Sequence, residues 1–228
     1  MNCVLIKMAG KGERFGSELP KQFCEVNGKP LFTYVLEEYK NLDCIDKVIV
    51  VTNPDFIELT SKYAKEILED KLLEVIPGGD TNAKSIYNGV MCAKKYMSND
   101  DILLTHDATN PIVATDKILE VVEAAKTYDF ASLCTEQVHT IYNKDDDNFI
   151  INTLDRKTVC SGYSPEAFKF NDIYDCYINS NAEELETMTS AISLASAHNK
   201  KVKLINANIL NLKITYKEDL DAFSKLVK

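Results

Sequence analysis

Short β-branched runs alternate with amphipathic stretches over the first two-thirds of the chain. Residues 3–8, 47–52, 72–76, 102–105 and 131–135 read as buried strands, and residues 30–39, 54–70, 83–96 and 117–127 as helices with one apolar face. Strands separated by helices of this length imply right-handed crossovers, hence a mostly parallel sheet covered on both faces by helices, a Rossmann-like α/β arrangement.

The rhythm breaks after Glu136. Residues 140–142 and 149–154 alternate with period two around the acidic turn Asn143-Lys144-Asp145-Asp146-Asp147-Asn148, which predicts a β-hairpin rather than another crossover. Such a hairpin is barely stable alone, and its Ile141, Phe149 and Ile151 need a covering surface, for which a second copy of the chain is the natural candidate. The pattern then predicts helices over 171–178 and 183–198, a strand over 202–205, an apolar stretch at 209–214 and a last helix over 217–227. The whole reads as one domain, 1–228, with an excursion at 138–164.

Composition narrows the function. The 228 residues are 45% hydrophobic and 27% charged, with a net charge of -9, which disfavours nucleic acid or an acidic membrane as the main partner. Seven scattered cysteines without a Cys-x-x-Cys pair, and three scattered histidines, fit free thiols in a reducing compartment better than a zinc or disulfide scaffold. No long apolar run or leader pattern stands at the start, so the expected location is the cytoplasm.

The strongest chemical signal follows the first strand: Met8-Ala9-Gly10-Lys11-Gly12-Glu13-Arg14-Phe15-Gly16, then Pro20-Lys21-Gln22-Phe23. Glycines let backbone N–H groups approach a phosphate, and Arg14 and Lys21 neutralise its charge. The spacing is neither that of a Walker loop nor Gly-x-Gly-x-x-Gly. A second pair, Gly78-Gly79, ends another strand and leads through Asp80-Thr81-Asn82 to Ser85, where small residues leave room for a flat base. Asp107, in His106-Asp107-Ala108-Thr109-Asn110-Pro111, ends a third strand and is placed to hold Mg²⁺ beside phosphates. Thr140, Arg156 and Ser164, with Asn211-Leu212-Lys213-Ile214-Thr215, offer a hydroxyl and cation clamp for a further phosphate.

Taken in order, these motifs resemble the cytidylyltransferases that join CTP to a polyol phosphate or to methylerythritol phosphate, over nearly the whole chain. The resemblance implies that Ala9, Gly10, Gly12, Gly79, Asp80 and Ser85 bind cytidine nucleotide. Arg14, Lys21 and Lys213 would be catalytic, Asp107 would bind Mg²⁺, and Asn110, Thr140, Arg156 and Ser164 would meet the acceptor. It also implies a homodimer whose hairpin arm is lent to the partner. Three positions depart from the family pattern: Asn82 and Asn110 stand where arginines are usual, and Thr187 where an aspartate is usual. The phrase Asn27-Gly28-Lys29-Pro30-Leu31 and the neutral Asn110 point to the ribitol-5-phosphate branch, serving a surface polymer. The rival readings are the methylerythritol enzyme of isoprenoid synthesis and a non-catalytic nucleotide-binding homologue.

Overall fold

The structure is a computed structural model that describes residues 1–228 except 11, 18, 208, 209 and 228. Lys11 of the glycine turn and the first residue of the 209–214 stretch therefore lie outside the described residues. β1 (Asn2–Met8) leads through the glycine turn to a small ribbon, β2 (Glu25–Val26) and β3 (Lys29–Pro30), and into α1 (Leu31–Lys40). Next come β4 (Lys47–Thr52), α2 (Ile57–Leu68), β5 (Leu72–Pro77), α3 (Asn82–Ala93), β6 (Ile102–Asp107), α4 (Thr115–Tyr128) and β7 (Phe130–Glu136). The hairpin β8 (Ile141–Lys144) and β9 (Ile150–Leu154) precedes β10 (Cys160–Lys169), α5 (Phe170–Ile178), α6 (Ala182–Thr187), α7 (Ala191–Ala197), β11 (Val202–Asn206) and α8 (Lys217–Leu226).

Seven strands form one sheet in the order β11-β7-β10-β6-β1-β4-β5. Only β10 runs antiparallel to its neighbours; β1 pairs in parallel with β4 and β6, β4 with β5, and β7 with β11. The interior strand β1 is apolar on both faces over Cys3–Ile6 because both are covered. Val4, Ile6 and Met8 enter the core under α1, α2 and α4, while Cys3 and Leu5 enter the core that includes residues of α3, α5 and α7. A third cluster, Phe15, Val26, Leu31, Ile214 and Phe223, fastens α8 and the irregular 212–214 segment beside the glycine turn.

The structure departs from the sequence pattern in two elements. The long strand β10 is not visible in the hydrophobic alternation, since Gly162 and Pro165 interrupt it. Pro165 falls in the register shift between Tyr163 and Glu166, where a missing N–H is tolerated. Residues 160–164, read as part of the excursion, thus belong to a strand of the main sheet that pairs with β7 from Cys160 onward. The single helix expected over 183–198 is two, because Met188 turns extended and Ser190 caps α7 through a reciprocal bond pair with Ser193. Among the described residues, no helix is long and apolar enough to cross a membrane.

Candidate active site

A cleft of about 870 Å³ opens at the carboxyl ends of β1, β4, β5 and β6. This is where open α/β sheets place ligands, because the chain leaves adjacent strands in opposite directions and the loops part. Each wall follows from local chemistry.

The first wall is the turn after β1. Gly12 (φ 72°) and Gly16 (φ 66°) are left-handed, a conformation that costs a side chain energy, and they bracket the short helical turn Glu13–Phe15 that sets Arg14 on the cleft rim. Gln22, almost fully buried, donates its Nε2 to the carbonyls of Met8 at 2.7 Å and Gly10 at 2.9 Å. With those carbonyls held from behind, the turn keeps one shape. Lys21, one residue earlier, reaches the cleft and donates to the Ile214 carbonyl at 2.5 Å.

The second wall is the turn after β5. A Cβ on Gly78 would stand 2.3 Å from the Ala9 Cβ, so glycine there lets the two walls touch, and one on Gly79 would stand 2.5 Å from the Lys84 Cβ in the first turn of α3. Ser85 accepts from the Gly79 N–H at 3.1 Å and donates to the Thr81 carbonyl at 2.9 Å, so its hydroxyl shapes this turn. Asn82, in the cleft lining, donates to the Thr189 carbonyl at 2.5 Å and ties the turn to the segment between α6 and α7.

The third side is electrostatic. Asp107 ends β6 with one carboxylate oxygen 3.0 Å from Lys7 Nζ and the other 2.9 Å from Lys213 Nζ. Burial would raise the Asp107 carboxyl, but the two lysines hold it far below the usual carboxylate range. Burial likewise would lower the Lys7 ammonium, yet Asp107 and Glu166 keep it above its ordinary value. Lys21 is pushed down, first by burial and then by the charges of Lys213 and Arg14. The cleft is lined by four cations, Lys7, Arg14, Lys21 and Lys213, against three carboxylates, Asp55, Asp80 and Asp107, an excess of positive charge within a chain of net charge -9. The arrangement suits a polyphosphate.

Residues 2–227 match the family described as IspD, 2-C-methyl-D-erythritol 4-phosphate cytidylyltransferase. A 2-C-methyl-D-erythritol 4-phosphate cytidylyltransferase of Clostridium botulinum (strain Loch Maree) is 31% identical over 219 residues, covering 96% of this chain and 94% of the relative. The chain belongs to this family. A D-ribitol-5-phosphate cytidylyltransferase of Xenopus tropicalis is also 31% identical, over 99% of this chain, which spans 56% of that longer relative. Among solved structures, the Anaerococcus prevotii 4-diphosphocytidyl-2C-methyl-D-erythritol synthase superposes with a TM-score of 0.81 at 23% identity, over 99% of this chain and 97% of that one. A Francisella tularensis 2-C-methyl-D-erythritol 4-phosphate cytidylyltransferase does so with a TM-score of 0.82 at 23% identity, covering 99% of each chain. At that identity the superpositions speak for the fold, which is the Rossmann-like one expected.

In this cytidylyltransferase the expected nucleotide residues Ala9, Gly10, Gly12, Gly79, Asp80 and Ser85 line one cleft together with Arg14, Lys21, Asp107 and Lys213. The expected acceptor residues do not gather there. Ser164 stands beside it, its Oγ accepting from the Asp107 N–H at 3.1 Å. Thr140 and Arg156 sit on the exposed hairpin region, with Arg156 Nη1 donating to the Val138 carbonyl at 3.0 Å. Asn110 is buried: its Nδ2 donates to Asn211 Oδ1 at 2.9 Å and its carbonyl meets His106 Nε2 at 2.9 Å. Asn110 thus turns away from the cleft, and its side chain is held by Asn211. The matched family and the Clostridium botulinum relatives carry the methylerythritol name, and the ribitol relative matches at the same identity. Thr187 donates to the Glu183 carbonyl of its own helix at 2.8 Å, while Thr189, two residues on, lines the cleft.

Sequence reasoning passed over Lys7, Gln22 and the cleft residues of the Asn53-Pro54-Asp55 turn. Lys7 had a signal: a lysine within the apolar run 3–8. For Mg²⁺ the protein's own donors fit poorly. Both Asp107 oxygens already hold ammonium groups, and no cluster of three His, Cys, Asp or Glu occurs among the described residues.

Proposed function

We propose that this chain transfers CMP from CTP to 2-C-methyl-D-erythritol 4-phosphate and releases pyrophosphate. The single observation that carries the reading is the convergence of Arg14, Lys21 and Lys213 on a cleft floored by the glycine turns after β1 and β5. An oxygen of the acceptor phosphate would attack the α-phosphorus of CTP, forming one P–O bond as the bond to the β-phosphate breaks. The residues contribute position and charge rather than a covalent nucleophile. The two glycine turns present backbone at the cleft floor, against which a pyrimidine edge would lie, and this favours CTP over purine nucleotides.

The acceptor half would be completed by a second copy. Val138, Phe149, Ile150 and Ile151 are 73%, 71%, 61% and 64% exposed, and an apolar surface of that kind on a projecting hairpin calls for a cover. A dimer with exchanged arms would bring the partner's Thr140 and Arg156 toward Ser164 and Lys213. Mg²⁺, which neutralises triphosphates generally, would enter on the nucleotide's phosphate oxygens. All seven cysteines are free, which supports work in a reducing compartment such as the cytoplasm.

Ribitol 5-phosphate is the second acceptor to test, because the ribitol relative matches at the same identity over even more of this chain. Pyrophosphate release is measured with CTP, ATP or GTP against both acceptors at equal concentration. Methylerythritol phosphate with CTP is expected to give the highest kcat/KM. Preference for ribitol 5-phosphate would move the chain to the surface-polymer branch, equal turnover of ATP would overturn the cytidine assignment, and CTP binding without turnover would leave a non-catalytic homologue.

A further inference from the structure

Lys7 is a charge in a place where the fold asks for none. It follows Val4, Leu5 and Ile6, all fully buried, on the central strand, and its own side chain is 7% exposed. An ammonium group taken out of water costs several kcal/mol, and a well-packed apolar residue there would be no less stable. Its surroundings recover that cost. Asp107 is the register partner of Lys7 across β1 and β6. Its Oδ1 lies 3.0 Å from the Lys7 Nζ. Glu166, buried on β10, is a second acidic neighbour that raises the Lys7 ammonium and takes a hydrogen bond from Thr105 Oγ1 at 3.0 Å.

What this arrangement leaves over is the second oxygen of Asp107, which holds Lys213 at 2.9 Å. Lys213 is 54% exposed and lies on the irregular segment before α8, so its own surroundings do little to fix a long, flexible side chain. The carboxylate can anchor Lys213 in one place only if its own rotation is fixed, and the buried Lys7 fixes it.

We propose that Lys7 is a positioning residue that clamps Asp107 so that this carboxylate anchors Lys213 at the cleft, and that Asp107 in this chain bridges two ammonium groups instead of ligating a metal ion. The role of Lys213 toward phosphate rests on the cytidylyltransfer reading; the clamp itself does not.

The test uses Lys7→Met combined with Glu166→Gln, which keeps the buried charge balanced so that the chain folds, as checked by its melting curve. Lysines are labelled by reductive ¹³C-methylation, and the Lys213 resonance is assigned by its disappearance in Lys213→Arg. That resonance is expected to move in the clamp variant and in Asp107→Asn. An unmoved resonance in the folded clamp variant overturns the proposal without reference to turnover. In activity, adding Lys213→Met to the clamp variant is expected to cost much less than it does in the wild type, because neighbours in one network are not additive. Multiplicative losses count against the clamp. Mn²⁺ bound with a non-hydrolysable CTP analogue is read by electron paramagnetic resonance. Its affinity is expected to be unchanged in Asp107→Asn, whereas a loss on the order of 10-fold or more would restore Asp107 as a metal ligand. A wild type inert toward every acceptor would sink the proposed function and leave the lysine resonance to decide the clamp.

Discussion

The nucleotide side and the acceptor side of this site are built in opposite ways. On the nucleotide side, each functional residue is a few positions from a strand end, and the sheet brings the strand ends together: Gly10 and Arg14 follow β1, Gly79 and Ser85 follow β5, and Asp107 closes β6. On the acceptor side, Thr140 and Arg156 ride on a hairpin region whose apolar residues face solvent. The residues expected on the nucleotide side share one cleft of one chain, whereas Thr140 and Arg156, expected on the acceptor side, lie apart from it. A parallel sheet fixes its loops by its own hydrogen bonding, but a two-stranded hairpin takes its place only from what it packs against.

The sharpest way to break the nucleotide half is Lys21→Ala. Lys21 stands between Arg14 and Lys213, in a cleft whose cations already depress it, so it is placed for the added negative charge of a pentavalent transition state. Its loss is expected to lower kcat by on the order of 10²-fold or more, as when one preorganised electrostatic contact is removed, with the melting temperature little changed. Steady-state pyrophosphate release checks it, and near-wild-type turnover would remove the triphosphate assignment.

The acceptor half should break differently. Phe149→Asp with Ile151→Asp charges two exposed side chains and leaves the main core untouched. Light scattering should then report a monomer, and kcat/KM for the acceptor should fall by on the order of 10-fold or more, as when a desolvated hot spot is lost. CTP affinity, measured by calorimetry, should stay near that of the wild type. A monomer with full activity would refute the shared site, and a matched loss of CTP affinity would show that the two halves are not separable.

How far each half was legible follows the same division. The turn Gly10 to Gly16 and the pair Gly78-Gly79 could be read because glycine at a strand end has a local reason. That reason is a left-handed backbone at Gly12 and contact with Ala9 at Gly78. β10 could not, because its pattern is broken at Pro165 and its pairing with β6 and β7 is set by distant residues. The orientation at position 110 was hidden for a related reason. The sequence names the residue but not its direction, and Asn110 turns inward to Asn211. Gln22 was legible only as part of Pro20-Lys21-Gln22-Phe23; that its amide holds two carbonyls of the turn behind it is a fact of the tertiary fold.

A smaller effect, confined to the nucleotide side, is expected of Gly78→Ala. The new methyl group would stand 2.3 Å from the Ala9 Cβ and 2.8 Å from Ser85 Oγ, so the two turns must part. Strain of this kind costs about 1–3 kcal/mol, and about 1.4 kcal/mol of it carried into the nucleotide complex would weaken CTP affinity by roughly 10-fold. Acceptor KM should change little, and unchanged CTP binding would mean that the contact between the turns does not shape the base site.

The last expectation concerns the seam between the halves. His106 is fully buried, and its Nε2 meets the Asn110 carbonyl at 2.9 Å. A carbonyl only accepts, so Nε2 carries the proton and Nδ1 takes the Tyr39 hydroxyl at 3.0 Å. Through Asn110 this chain of bonds reaches Asn211, two residues before Lys213. Burial lowers His106 to about 4, from an ordinary 6.5. The unfolded chain therefore binds a proton that the native one refuses, and stability falls as the pH drops below 6.5 until the native imidazole is protonated near 4. Between pH 6.5 and 5.5 the loss is about 1 kcal/mol from this one group. Deeper in acid, Asp107, held low, and Glu166, held high by burial, pull in opposite directions, so the effect is best taken as the wild-type slope minus that of His106→Gln. Urea unfolding at the two pH values should give the variant the flatter dependence. Parallel slopes would mean that the imidazole takes up its proton alike in the native and the unfolded chain, and that the turn carrying Asp107 and Asn110 is held by something other than a buried neutral histidine.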